Sequence, residues 1–156
     1  MDIEIVEGSK TNIDAKVGIV VSRWNSFVTD KLLDGALDTL KTKGFNDEQI
    51  IAVRCPGAFE IPFTSRSLLP KVDGIIALGA IIRGETPHFD YICQAATEGI
   101  LKLNMENDKP VIFGVLTTDT VQQANERANK NSKFGNKGAE AALAVIEMIS
   151  LGRKLQ

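Results

Sequence analysis

Lys16-Val-Gly-Ile-Val-Val-Ser22, running into Arg23-Trp24-Asn25-Ser26, is the stretch that decides the fold. A short run so nearly free of polar side chains is the mark of a strand covered on both faces. After the Arg-Trp-Asn-Ser break the period changes from strand to helix. Phe27, Leu32, Leu33, Ala36, Leu37 and Leu40 recur at three- and four-residue spacing, with Lys31, Asp34, Asp38 and Lys41 opposite them. Asn25 or Ser26 is the expected N-cap and Gly44 the expected stop. Ile50-Ile-Ala-Val-Arg54 then supplies the next buried strand, completing a β-α-β unit.

Downstream the same order repeats. Pro56-Gly-Ala-Phe-Glu-Ile-Pro62 opens a short helix reaching about 69, residues 74–82 form the third strand, and 88 to about 104 a helix. Pro110-Val-Ile-Phe-Gly-Val-Leu116 is the fourth strand. Thr117-Thr-Asp-Thr120 offers N-caps for a helix over 121–129, and a polar break, Lys130-Asn-Ser-Lys-Phe-Gly-Asn-Lys-Gly138, precedes the last helix over 138–151. That helix carries Ala141, Ala144, Val145, Met148 and Leu151 on its predicted inner face. Alternating strands and helices predict an α/β fold, a four-stranded parallel sheet with helices on both faces, which is a three-layer αβα sandwich. Residues 1–15 belong to no such unit. Their alternating Ile3, Ile5 and Val6 read as an N-terminal arm that adds an edge strand to a neighbouring subunit's sheet, rather than as a loose terminus, leaving 16–156 as one domain.

Composition narrows the function classes. Hydrophobic residues make up 44% and charged residues 24% of 156, which suits a soluble globular domain. A net charge of −2 with interspersed signs gives no footprint for nucleic acid. No apolar run approaches a membrane span, and the acidic start lacks the layout of a signal peptide, so the expected compartment is the cytoplasm. Cys55 and Cys93 have no metal-like spacing and read as buried, reduced thiols. With His88 the single histidine, no zinc site is expected.

Ligands of open parallel sheets bind outside the carboxyl ends of the strands. Three loops fall on that edge: Arg23-Trp24-Asn25, Pro56-Gly-Ala-Phe-Glu60 and Gly84-Glu-Thr-Pro-His88. Together they bring two aromatic rings, an amide, a carboxylate and an imidazole, a set suited to a flat heteroaromatic ligand. His88 stands where a helix begins, so a proton-transfer group lies beside N–H groups that attract anions. Each residue also has an ordinary structural reading. Trp24 and Phe59 have the character of core aromatics, Glu60 of a helix-dipole partner, Arg127 and Lys137 of solvated charges. Their convergence on one edge favours chemistry.

Four segments carry a resemblance. Pro-Gly-Ala-Phe-Glu-Ile-Pro (56–62), Gly-Ala-Ile-Ile-Arg-Gly-Glu-Thr-Pro-His-Phe-Asp-Tyr (79–91), Phe-Gly-Val-Leu-Thr-Thr (113–118) and Gly-Asn-Lys-Gly-Ala-Glu-Ala-Ala (135–142) resemble the 6,7-dimethyl-8-ribityllumazine synthase family, in order and across most of the chain. The resemblance implies a flavodoxin-like sandwich. It implies a cytoplasmic transferase of riboflavin biosynthesis that needs no metal or organic cofactor. The implied reaction condenses 5-amino-6-(D-ribitylamino)uracil with 3,4-dihydroxy-2-butanone 4-phosphate, giving the lumazine, phosphate and water. The competing reading is a catalytically silent homologue that binds flavin or lumazine, or that forms a shell.

Carried over by position, Trp24 stacks on the pyrimidine. Asn25, Ala58, Phe59 and Glu60 hold its edge and ribityl chain, and Ala80, Ile81 and Ile82 line the same pocket through backbone groups. Glu85 and Thr86 bind phosphate through N–H groups, and His88 moves protons. From an adjacent subunit, Phe113 covers the ring, Arg127 grips the phosphate and Lys137 reaches the pyrimidine side. The implied partners are further copies of the chain, with active sites at the subunit interfaces, and riboflavin synthase. Two positions depart from the common pattern. Trp24 stands where Phe is usual, and Glu85 puts a carboxylate where many relatives have a small residue, so its side chain is expected to turn outward. The segment after Arg127 is longer than the common version, which favours a free pentamer over a closed shell.

Overall fold

Strand β1 (Val17–Ser22) is the centre of the molecule, and every one of its residues is buried. It is followed by α1 (Ser26–Thr42), β2 (Ile50–Cys55), α2 (Ile61–Leu68), β3 (Gly74–Ile82), α3 (His88–Glu106), β4 (Val111–Thr118), α4 (Val121–Arg127) and α5 (Lys137–Lys154). The computed structural model describes residues 2–156. All strand pairs are parallel and the sheet order is β2-β1-β3-β4. The chain is therefore the flavodoxin-like three-layer sandwich expected from the alternating pattern.

Alternation along the central strands builds two cores. Val17, Ile19 and Val21 of β1, with Ile76, Leu78 and Ala80 of β3, face α1 and α5, where Leu32, Leu40, Val145 and Ile146 meet them. Val20, Ile75, Ala77 and Ile81 face the other way, against Ile61 and Leu68 of α2 and Ala96, Ile100 and Leu103 of α3. Each fully buried Leu or Ile contributes roughly 1.5–3 kcal/mol of transfer free energy, so these layers fix the relative placement of the strand ends.

Several local expectations are corrected. The inner face of α1 is Val28, Leu32, Ala36 and Leu40 at strict four-residue spacing, while Phe27 is exposed. In α5 the buried residues include Ala141, Ala142, Val145, Ile146 and Ile149. Met148 is exposed and Ala144 and Leu151 are half-buried, because the helix is rotated to lay Gly138 against the Leu32 carbonyl of α1. Strand β4 runs on through Thr117 and Thr118, which pair in register with Ile81 and Ile82, and of the remaining Asp119 and Thr120 it is Thr120 that caps α4. Helix α4 ends at Arg127, short of 129, and α3 continues past 104 to Glu106. Cys55 is buried as expected, whereas Cys93 is half-buried. Gly44 does end α1, at φ 98°, in the left-handed region that glycine tolerates.

The N-terminal segment divides in two. Ser9 donates its N–H to Ser150 Oγ at 2.9 Å, and Arg153 and Lys154 bond the carbonyls of Asp14 and Glu7, so residues 7–15 lie along the end of α5. Ile3 and Ile5 are exposed and make no strand within the subunit.

Candidate active site

The sheet order reverses between β1 and β3: from β1 the chain crosses to β2 on one side, and from β3 to β4 on the other. Helices leave on opposite faces at such a point, which opens a crevice at the carboxyl ends of the two strands. A cavity of about 590 Å³ occupies that place, lined by the loops after β1, β2 and β3 and by the first turns of α3. Hydrogen bonds set the loop after β1 in position. Arg23 N–H donates to the Cys55 carbonyl at 2.8 Å and Trp24 N–H to the Pro56 carbonyl at 2.9 Å, extending the β1–β2 pairing beyond the strands.

Asn25 ties the crevice together. It is the N-cap residue of α1, yet its side chain does not cap the helix. Its Nδ2 donates instead to the Ala80 carbonyl of β3 at 2.8 Å, bridging the two strands at the switch. Its backbone is left-handed, φ 64°, the single non-glycine residue with positive φ among those described. Asn tolerates that conformation better than most residues. The local cost is offset because one residue both starts α1 and pins β3.

Trp24 is 74% and Phe59 60% exposed, with both rings on the cavity wall, so neither serves as a core aromatic. Asn25, Ala58, Glu60, Ala80, Ile81 and Ile82 line the same cavity, as do Thr86 and His88. His88 is exposed and is the first residue of α3, and its N–H lies 3.4 Å from Thr86 Oγ1. Pro87 before it has no N–H and provides no side-chain cap, and the helix start borders the cavity through Thr86, His88 and Phe89. Glu85 is exposed and is not among the residues that line the cavity.

Three of the expected residues lie elsewhere in the subunit. Phe113 is half-buried on β4, along a groove with Phe89, Asp90 and Cys93 of α3. Arg127 and Lys137 share a cleft of about 280 Å³ at the end of β4, with Thr118, Phe134 and Glu140. Neither surface shares a wall residue with the main cavity except Phe89, which borders the cavity and the groove. Within one subunit, then, the imidazole and the guanidinium are not brought together.

Phe89 and Ile92 also line the cavity and were not singled out from the sequence. The signal for Ile92 was available, since positions 88 and 92 share one face of a helix, whereas Phe89 stands next to His88 and off that face. Arg83 carried no readable signal. Its Nε donates to Asp119 at 2.8 Å, Nη1 lies 3.6 Å from Asp90, and the guanidinium sits 4.3 Å from the Phe89 ring centroid. The hydrogen bond to Asp119 holds the Arg83 pKa above its usual value. This cluster ties the first turn of α3 to the end of β4, and so braces the helix start that carries His88.

The geometry suits a small planar ligand held between exposed rings, with an imidazole at an anion-receptive helix start. The model of the family described as 6,7-dimethyl-8-ribityllumazine synthase matches residues 14–153. The chain belongs to that family. The lumazine synthase family is one of transferases in riboflavin biosynthesis, and the match takes in every loop of the cavity together with Arg127 and Lys137. Among the described residues no cluster of His, Cys, Asp or Glu is arranged to hold a metal ion, and no helix is long and apolar enough to cross a membrane.

Proposed function

We propose that this chain is a cytoplasmic lumazine synthase, condensing 5-amino-6-(D-ribitylamino)uracil with 3,4-dihydroxy-2-butanone 4-phosphate to 6,7-dimethyl-8-ribityllumazine, phosphate and water. The observation that carries this is the single cavity at the β1/β3 switch. There the exposed rings of Trp24 and Phe59 stand with Asn25, Glu60 and His88, in a chain of the lumazine synthase family. Trp24 stacks on the pyrimidine. Asn25, Ala58, Phe59 and Glu60 take its edge and the ribityl chain, with Ala80, Ile81 and Ile82 forming the floor. Backbone N–H groups around Glu85 and Thr86 receive the phosphate.

The amine of the pyrimidine attacks the ketone carbon and one water leaves, phosphate is eliminated, and the ribityl-bearing nitrogen closes the ring on the carbonyl which that elimination leaves, with loss of a second water. Each step moves a proton near neutral pH, the task of an imidazole, assigned here to His88. A guanidinium pairs bidentately with phosphate and eases its departure, the role assigned to Arg127. Holding two reactive substrates face to face supplies much of the acceleration. Arg127, Lys137 and Phe113 act in the cavity of an adjacent subunit, so self-association completes the site. The N-terminal arm adds its strand to that neighbour's sheet, the assembly is a pentamer, and riboflavin synthase consumes the product.

Mixing the purified protein with both substrates and following lumazine fluorescence tests the activity. A rate above the uncatalysed one is expected. Tight flavin binding with no acceleration would establish the silent binding homologue instead. Light scattering is expected to give the mass of a pentamer, and a megadalton particle would overturn that part.

A further inference from the structure

The last residue of α4, Arg127, is held in an unusual way. Its Cζ lies 4.1 Å from the Phe134 ring centroid, so the ring covers one face of the guanidinium. Nη1 donates to the Gln123 carbonyl at 3.1 Å and lies 3.8 Å from Glu126 Oε2. Nε and Nη2 have no protein partner among the described residues. One face and one corner are thus occupied, while the Nε–Nη2 edge is left open. That edge is the fork whose parallel N–H groups match the oxygens of a phosphate.

The loop over residues 129–135 is built to place that ring. Its base is closed by the antiparallel bridge between Ala128 and Asn136, and Asn136 Nδ2 donates to the carbonyls of Ala128 at 2.8 Å and Lys31 at 3.0 Å. The Ser132 hydroxyl bonds the Glu126 carbonyl, accepts from Phe134 N–H at 3.3 Å and reaches the Asn129 carbonyl at 3.0 Å. Gly135 then turns the chain at φ 70°, so that Phe134 lies back over α4. Phe134 is 41% exposed and belongs to neither core; its ring meets the Arg127 guanidinium and has the Lys133 ammonium 5.1 Å from its centroid.

We infer that Phe134 is a positioning residue: its ring fixes the Arg127 guanidinium with the Nε–Nη2 edge outward, to meet the phosphate-bearing substrate. An unrestrained arginine surrenders considerable rotamer freedom when it binds. It would also be free to swing its Nε–Nη2 edge onto the Glu126 carboxylate, which already lies 3.8 Å from Nη1. The ring lowers both costs without contributing a contact to the ligand. The inference rests on Arg127 receiving the phosphate, as proposed above.

The full-length assembled protein carrying F134A, F134L, F134Y or R127A provides the test, with KM measured for each substrate and inorganic phosphate used as a competing probe. F134A and F134L are expected to raise KM for the ketone phosphate and the inhibition constant of phosphate by about two- to five-fold, the range of an exposed cation–π contact. KM for the pyrimidine should stay unchanged, and F134Y, which keeps the aromatic face, should behave as the parent. Because Phe134 is exposed, none of these variants threatens the fold. The inference is overturned if R127A weakens phosphate but F134A does not. It is equally overturned if F134L matches the parent, or if both KM values rise together. If R127A itself leaves phosphate binding unchanged, the assignment of Arg127 fails and Phe134 loses its role with it.

Discussion

The cavity at the β1/β3 switch and the cleft at the end of β4 are built on opposite plans. The cavity is roomy, about 590 Å³ against about 280 Å³, and it exposes aromatic rings together with the imidazole. The cleft is narrow and presents Arg127 and Lys137, partly offset by Glu140. One has the shape to enclose a heterocycle and lacks a strong cation; the other has the cations and lacks the space. In the proposed function the two surfaces are halves of one site, which a second copy of the chain completes.

The largest effect should come from separating the halves. His88→Ala is expected to lower kcat on the order of a hundredfold, at the lower end of what general acid–base groups supply, because positioning survives. Arg127→Ala should cut kcat/KM for the ketone phosphate about tenfold or more, the loss of a charge-assisted contact. Refolding or co-expressing the two variants together should then regain activity that neither has alone, since mixed assemblies contain some sites with both wild-type halves. Absence of any recovery in verified mixed assemblies would mean that imidazole and guanidinium serve one subunit's own site. Complete inactivity of a folded, assembled His88→Ala would break the division of labour between proton transfer and positioning.

A smaller effect addresses the cavity alone. Trp24→Ala should raise KM for the pyrimidine roughly three- to tenfold, in the range of an aromatic stacking contact, while Trp24→Phe retains most of the affinity. The ketone phosphate KM should be unmoved in both. An equal rise for the two substrates would show that Trp24 supports the loop rather than the ring of the ligand.

The smallest effect concerns the two thiols, Cys55 before the Pro56 loop of the cavity and Cys93 in the Phe113 groove. Burial is the main cause pushing Cys55 above the ordinary thiol range, with Glu60 adding to it, and burial likewise raises Cys93. The fold therefore favours the neutral thiol. That contribution is fully present below the pKa of the unfolded thiol and fades as pH rises through the folded one. Urea stability should decline in alkaline solution, less steeply in Cys55→Ala. Iodoacetamide with mass spectrometry should label Cys93 ahead of Cys55, both more slowly than in urea; preferential labelling of Cys55 would contradict its burial beside the Pro56 loop.

Much of the architecture was legible because burial on both faces leaves a plain record. The apolar runs of β1 and β3 and the stop at Gly44 needed only local rules. Errors occurred where a partner element decides the outcome. At the start of α1 it is Val28, four residues before Leu32, that packs beneath the helix, while Phe27, one step round, is left exposed. Asn25 had the chemistry of a cap, yet the neighbouring Ala80 carbonyl claimed its side chain. The face of α5 turned with the close approach of Gly138 to α1.

The sequence by itself determined the order of strands and helices, and it placed Trp24, Phe59 and His88 on loops at one sheet edge, since periodicity and loop position are local properties. Tertiary structure alone decided that those loops enclose one cavity, because that depends on β1 and β3 being neighbours at the reversal of sheet order. It also decided that Arg127 lies outside that cavity with its fork held open by Phe134. Both are matters of which distant segments share a surface, and no spacing along the chain encodes a contact of that kind.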